Sequence, residues 1–243
     1  MSNPVFKLAE HQSGRDIVLD GDKIMTVNGT IQLTAFMGLL LVVSAVFCWS
    51  RYTAGYMDQF VMLTAGGAIV GFILALIVAF ARTTLLIPVY AVCEGLFLGG
   101  ISAVFESSYP GIVSQAVAGT FAALFSMLIL YRAGIIRCTD KFRSVIFIST
   151  ASIAVIYLVD FVGRLFGHAI PLINTSSTFG IIFSIGVIVV AALNLIIDFD
   201  FVEQGEKNML AKDYEWYGAF GLMITLVWLY LEILNLLAKL NRR

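Results

Sequence analysis

The sequence predicts an all-α integral membrane protein, a bundle of seven transmembrane helices. Three observations carry the prediction. Of the 243 residues, 60% are hydrophobic and only 13% are charged, about half the charge of a typical soluble domain. Seven separate segments hold the roughly 20 apolar residues that a helix needs to cross a bilayer. Those runs are too continuously apolar for the in-out alternation of a membrane barrel. In lipid, a helix is then the form that pairs every backbone group.

The predicted spans are residues 30–49, 60–80, 85–105, 112–131, 145–162, 179–197 and 217–238. Arg51 and Asp58 bracket the first connection. Arg82 alone marks the second, which makes the second and third spans a tight hairpin. Pro88 falls in the first turn of the third helix, where its missing N–H costs little. Ser107 to Gly111, with Pro110, is a turn cluster. Residues 137–143 form a charged loop, 168–177 a connection with Pro171 and Asn174, and 202–215 the most polar internal segment. No polar stretch is long enough for a second core. One domain is expected over residues 30–238, with a polar cytosolic tail at 1–29 and a short basic tail at 239–243. The tail at 1–29 lacks the basic and apolar regions of a secretory signal.

Basic residues set orientation. With the N-terminus in the cytosol, that side receives Lys7, Arg15, Lys23, Arg82, Arg132, Arg137, Lys141, Arg143, Lys207 and Lys212, ten in all. The other side receives five: Arg51, Arg164, Lys239, Arg242 and Arg243. The imbalance predicts N-in, C-out.

Several chemistries are excluded at this level. The net charge of −1 and the lack of a basic run give no case for nucleic-acid binding. The three cysteines, Cys48, Cys93 and Cys138, include no C-x-x-C pair, so neither a zinc site nor a redox motif is expected. The two histidines, His11 and His168, lie outside the spans, and no H-E-x-x-H, G-x-S-x-G or Walker pattern occurs. No enzyme activity, cofactor or tightly bound metal is expected. The lipid bilayer is the expected surrounding.

Small residues mark where helices meet. Gly67 and Gly71 form a G-x-x-x-G pair in the second span, and Gly95 and Gly99 another in the third, with Ser102 extending that face. Such spacing lets backbones approach closely in lipid.

Acids inside the spans are costly when charged, so they face partners or cavities. Glu94 lies near the middle of the third span with Tyr90 one turn earlier; it is either protonated or facing water. Asp160 and Arg164 share a helical face at i, i+4 and read as an interfacial ion pair. Asn194 and Asp198 share a face at the end of the sixth span, where Asp198 is either a gate residue or a packing one. Asp200 reads as a solvated headgroup-level residue. In the last span Gly218, Gly221, Thr225, Glu232 and Asn235 fall along one stripe, which should point into the bundle.

The same residues resemble a known family. Asn3-Pro4-Val5-Phe6-Lys7, Met25-Thr26-Val27, Tyr90-Ala91-Val92-Cys93-Glu94-Gly95-Leu96-Phe97-Leu98-Gly99, Asn194-Leu195-Ile196-Ile197-Asp198-Phe199-Asp200-Phe201 and Glu215-Trp216-Tyr217-Gly218-Ala219-Phe220-Gly221, running on to Trp228-Leu229-Tyr230-Leu231-Glu232-Ile233-Leu234, occur in this order. The chain resembles the Bax inhibitor-1 family (transmembrane Bax inhibitor motif proteins), in its bacterial branch. The resemblance implies a last helix near the bundle centre and a location in the bacterial inner membrane. It also implies a pH-sensitive leak of calcium or another cation, governed by acids on the sixth and seventh helices. Carried over, these are Asp198 and Glu232, with Glu in place of the usual Asp. Paired in a low-dielectric site, two carboxylates would titrate as a coupled unit, directly or through water and Asn194. They stand 34 residues apart. Either the sixth helix reaches deeper than Ile197, or the pair is not formed and Glu94 is a replacement partner. The alternative function is a non-conducting membrane regulator that binds other membrane proteins, such as a quality-control protease. The segment 3–7 is then a candidate docking peptide.

Two expectations follow from the sequence alone. Reporter fusions should place the N-terminus in the cytosol and the C-terminus outside; a cytosolic C-terminus would refute the assignment. Glu94→Gln should leave folding intact, whereas Glu94→Lys should abolish it by placing an unpaired cation in mid-membrane; yield of monodisperse protein in detergent distinguishes the two.

Overall fold

Each apolar segment closes its own backbone hydrogen bonds, and the polar residues flanking it carry the helix beyond the apolar run. The computed structural model describes residues 24–81, 83–167 and 176–242. Within them lie seven helices, each long and apolar enough to cross a membrane: α1 Val27–Thr53, α2 Met57–Ala81, α3 Ile87–Ser108, α4 Ile112–Arg132, α5 Asp140–Leu165, α6 Thr178–Lys207 and α7 Tyr214–Asn241. The chain is therefore an integral multi-pass membrane protein. The tail at 1–23, the docking segment 3–7, Arg82, and the connection over residues 168–175 lie outside the described residues.

Helix ends are set by local capping. Thr26, Thr139 and Ser177 cap α1, α5 and α6, their side chains accepting from Gly29, Phe142 and Gly180. Gly111 opens α4 at φ 85°, a left-handed value that a side chain would strain. The Glu106 carboxylate accepts from Gly111 N at 2.6 Å and from Val113 N at 3.0 Å, satisfying two free donors of α4.

The largest departure from the expected spans is in α6, and α5 starts five residues earlier than expected, at Asp140. α6 runs ten residues past Ile197 to Lys207. Asp198 and Asp200 therefore sit inside a helix instead of at its end. α7 runs through the expected basic tail to Asn241. Lys239 is buried, with its ammonium donating to Ser184 Oγ at 2.7 Å and Gly180 O at 3.3 Å on α6.

α7 is central: it packs against α1, α3, α4 and α6. α3 packs against α1, α2, α4 and α7. The buried apolar core forms mainly along these two helices, with Tyr90 and Leu98 of α3 meeting Phe220 and Met223 of α7. α5 is peripheral and packs its backbone against α6 alone. Large apolar side chains such as Met62, Phe72, Phe147 and Ile148 point outward, as lipid-facing residues should.

Glycines bring the backbones together. A Cβ at Gly95 would fall on Leu41 O and Ser44 of α1, and one at Gly99 on Ala45 of α1. On α2, a Cβ at Gly67 would meet the backbone of α3 at Cys93 and Phe97, and Gly71 lies under the Glu94 carboxyl. Ser102 has a different partner, the Tyr230 hydroxyl of α7, at 2.6 Å.

Define the near end of the bundle as the one where α1 begins. There residues 24–27 are clamped on the α6–α7 connection. Ile24 bridges to Ala211, and Met25 N donates to Leu210 O at 2.8 Å. Thr26 donates to Glu215 Oε1 from both its N and its Oγ1, each at 2.9 Å, and Val27 N donates to Glu206 Oε1 at 3.0 Å. Two carboxylates thus lie at the positive end of α1.

The packing can be tested at one glycine against another. Gly99→Ala should destabilise the protein by about 1–3 kcal/mol through overpacking. Gly186→Ala on α6, where a Cβ meets nothing within 4 Å, should be neutral or stabilise by up to about 1 kcal/mol. Thermal melting of both variants in detergent checks this; equal melting temperatures would refute the close α1–α3 contact.

Candidate functional site in the α6–α7 seam

The acids singled out above fall into distinct places. Asp198 lies nine residues before the end of α6, about 13 Å inside the near end at 1.5 Å per residue. Its carboxyl lies against the Thr225 hydroxyl and against Gly221 of α7. Its Oδ2 is buried with no hydrogen-bond partner among the described residues. A buried carboxylate oxygen left without a donor loses its hydration uncompensated. Toward the near end the seam is closed by apolar contact. Gly218 lies against Thr30 and Val202, and the fully buried Met25 sits against Gly205 and Gly218.

Asp200 is two residues on and points elsewhere, since two residues turn a helix by about 200°. The expectation of a solvated headgroup residue fails. Asp200 is buried and accepts from Arg143 Nη2 of α5 at 2.8 Å. Tyr131 of α4 donates its hydroxyl to Glu203 at 2.5 Å, with Asp200 at 3.4 Å, and Lys207 pairs with Glu203. This cluster ties α4, α5 and α6 together at the near end. Cys138, in the α4–α5 connection, lies 3.8 Å from Arg143. Burial, then the Asp200 charge, pushes its thiol up and makes the thiolate scarce.

Glu232 lies in the far half of α7 and is 5% exposed. Its Oε1 accepts from the Tyr157 hydroxyl of α5 at 2.7 Å and from Trp228 Nε1 at 3.2 Å. Its Oε2 is buried without a hydrogen-bond partner among the described residues. Glu232 also lines a cavity of about 390 Å³ between α5 and α7, with Tyr157, Asp160, Phe161, Arg164, Leu231 and Asn235. Asp160 is buried at its rim and accepts from Arg164 Nε at 2.9 Å.

Asp198 and Glu232 do not touch. Thr225, which faces Asp198, and Glu232 are seven residues apart on α7, about 10 Å along the axis. Between the two acids the seam is packed by Leu195 and Leu229, both fully buried. Asn194 does not bridge them, because its Nδ2 donates to Thr150 Oγ1 of α5 and to Val190 O, both at 2.9 Å. Glu94 is not a substitute partner. It lies at the α2–α3 contact, over Gly71 and facing the Tyr90 hydroxyl. The stripe on α7 therefore splits: Gly218, Gly221 and Thr225 face α6, while Glu232 and Asn235 face the cavity beside α5. Among the described residues no three His, Cys, Asp or Glu side chains converge as a metal site.

The partners Thr225, Tyr157 and Trp228 carry as much of the site as the acids. Trp228 is at i−4 from Glu232 and was readable from spacing. Tyr157 is 75 residues away and was not. No curated protein matches the chain. The family model described as Bax inhibitor 1 like matches residues 3–242, which span all seven helices and every acid considered above. On that match the chain belongs to the Bax inhibitor 1 like family.

Proposed function

We propose that this protein is a pH-sensitive cation leak pathway, for calcium in the first instance, running along the α6–α7 seam and doing no covalent chemistry. The observation that carries the reading is the enclosed, unpartnered Oδ2 of Asp198 beside the Gly221–Thr225 face of α7. Protonated, this group is neutral and compatible with a closed seam. Deprotonated, it is a charge that its one hydroxyl partner cannot solvate, so water or a cation must. Thr225 and Gly221 are the α7 groups that face it, and neither carries a charge. Proton and cation thus compete for one position, which gives flux a dependence on pH. Glu232 supplies a second acid farther along α7, with the Lys239 ammonium two turns beyond it. Leu195 and Leu229 form the apolar constriction between the acids, and an apolar constriction gates by excluding water. The excess of basic residues supports a cytosolic near end, and the resemblance to the bacterial branch of the family supports the inner membrane of a bacterium.

Purified protein in liposomes with an internal calcium dye tests the reading. Wild type should pass calcium with a rate that changes with pH. A change of one charge at the seam moves a closed–open balance by a few kcal/mol, enough to alter flux severalfold. Asp198→Asn should flatten that pH profile. Glu232→Gln should alter flux separately, and the double variant should show additive effects, because the acids lie in separate places. If Asp198→Asn melts like wild type yet keeps its pH profile, the gating role fails. If wild type passes no calcium at any pH, the non-conducting regulator becomes the better reading.

A further inference from the structure

We propose that the cavity between α5 and α7 is a binding site for a primary ammonium carried on an alkyl chain. Three observations point to this chemistry. The inner wall holds Glu232, 95% enclosed, whose Oε2 has no hydrogen-bond partner among the described residues. The free oxygen is an acceptor in want of a donor, and burial makes its need expensive. Asn235 lines the same cavity and adds an amide oxygen. An ammonium has three donors and no acceptor, which a carboxylate oxygen and an amide oxygen suit. The rings of Tyr157 and Phe161 line the cavity as well, and aromatic faces attract a cation over and above the carboxylate.

The same set is a poor fit for a divalent metal. Calcium takes six to eight oxygen ligands. Here Oε1 of Glu232 is already held by Tyr157 and Trp228, and the Asp160 carboxylate is engaged by Arg164. The volume of about 390 Å³ also exceeds what a bare ion fills, and falls within the range of small-molecule sites.

The alkyl chain follows from where the cavity opens. α5 packs its backbone against α6 alone, so the gap between α5 and α7 faces the lipid-exposed side of the bundle. Leu231 and Phe161 form its apolar wall, and Phe161 is 60% exposed. A chain leaving the ammonium would run along these residues into the surrounding hydrocarbon. Arg164 at the rim pairs with Asp160, so these two charges offset each other beside the site. This site goes beyond the leak reading, since binding at Glu232 needs no conduction through Asp198.

The test uses full-length protein in detergent, with n-octylammonium as the probe and 1-octanol as its uncharged match. Two readouts serve: the melting temperature, and tryptophan emission in a Trp49→Phe, Trp216→Phe background, where it comes from Trp228, whose indole N–H bonds to Glu232. Octylammonium should shift both saturably, and octanol should not. Glu232→Gln should weaken apparent affinity at least about thirtyfold, because it removes the buried charge that pairs with the ammonium. Asn235→Phe, which fills the cavity and keeps Glu232, should also abolish saturable binding. Asp198→Asn should bind like wild type, even if it loses calcium flux. A higher melting temperature in phosphatidylethanolamine nanodiscs than in phosphatidylcholine ones, lost in Asn235→Phe, would show that lipid headgroups supply the ammonium. Without that difference, a free alkylamine is the source. Equal responses to octanol and octylammonium, or a wild-type response from both Glu232→Gln and Asn235→Phe, would overturn the proposal.

Discussion

The architecture depends on how closely helix backbones can approach one another in lipid. Hydrocarbon tails are as apolar as leucine, so burial of apolar surface gives helices little reason to associate. Close packing and hydrogen bonds must do that instead. Gly95 and Gly99 let α3 lie against α1, Gly67 lets α2 lie against α3, and Gly218 and Gly221 let α7 lie against α6. These contacts make α3 and α7 the two central helices. They also determine where the acids fall. Gly221 exposes α7 backbone to Asp198, and Gly71 makes room for Glu94. A Cβ at either position would lie in van der Waals contact with a carboxyl oxygen, at 3.5 Å for Gly221 and 3.4 Å for Gly71.

What was legible in the sequence follows from the range of the forces involved. The spans were legible because hydropathy accumulates over about 20 neighbouring residues. The Asp160–Arg164 pair was legible because it is local, at i, i+4. The glycine pairs were legible as sites of close approach, though not which helix each would meet; Ser102, on the face of Gly95 and Gly99, bonds α7 instead of α1. The length of α6 was not legible. Its last ten residues are polar by composition, and they are helical because Asp200, Glu203 and Lys207 find partners on α4, α5 and α6 itself. Arg143 stands 57 residues from Asp200, and nothing in the sequence marks that distance. Lys239 read as part of a basic tail for the same reason, since its acceptors, Gly180 O and Ser184 Oγ, lie on another helix.

The two ends of the bundle are held in different ways. The near end is cross-linked by polar contacts: the clamp of residues 24–27 on Glu206 and Glu215, and the cluster around Asp200. Together these bind α1, α4, α5, α6 and α7. In the far half α6 and α7 meet through Lys239, while α5 reaches α7 through Tyr157 and Glu232. Between the ends the seam is apolar, closed by Leu195 and Leu229. A polar cross-link keeps its geometry, whereas apolar contact between smooth side chains permits sliding. Across the α5–α7 gap, the side-chain tie is the Tyr157–Glu232 hydrogen bond.

That arrangement bears on how the two acids could influence each other. No hydrogen-bond chain joins Asp198 to Glu232 among the described residues, because Asn194, which lies beside Asp198 on its face, is turned toward Thr150. Coupling between them would have to pass through helix movement. The element placed to carry it is α5. It holds α6 through Arg143–Asp200 at one level and Thr150–Asn194 at the next, and it holds α7 through Tyr157–Glu232. A hydration change at Asp198 that shifted α6 would act on Asn194 one turn away, hence on α5, and hence on the Tyr157 hydroxyl. A cation in the cavity, by contrast, would meet the free Oε2 of Glu232 and leave its Oε1 tied to Tyr157 of α5. The two acids are thus separate as titrating groups, and additive effects of their substitutions would mean that α5 stays fixed while either one changes charge.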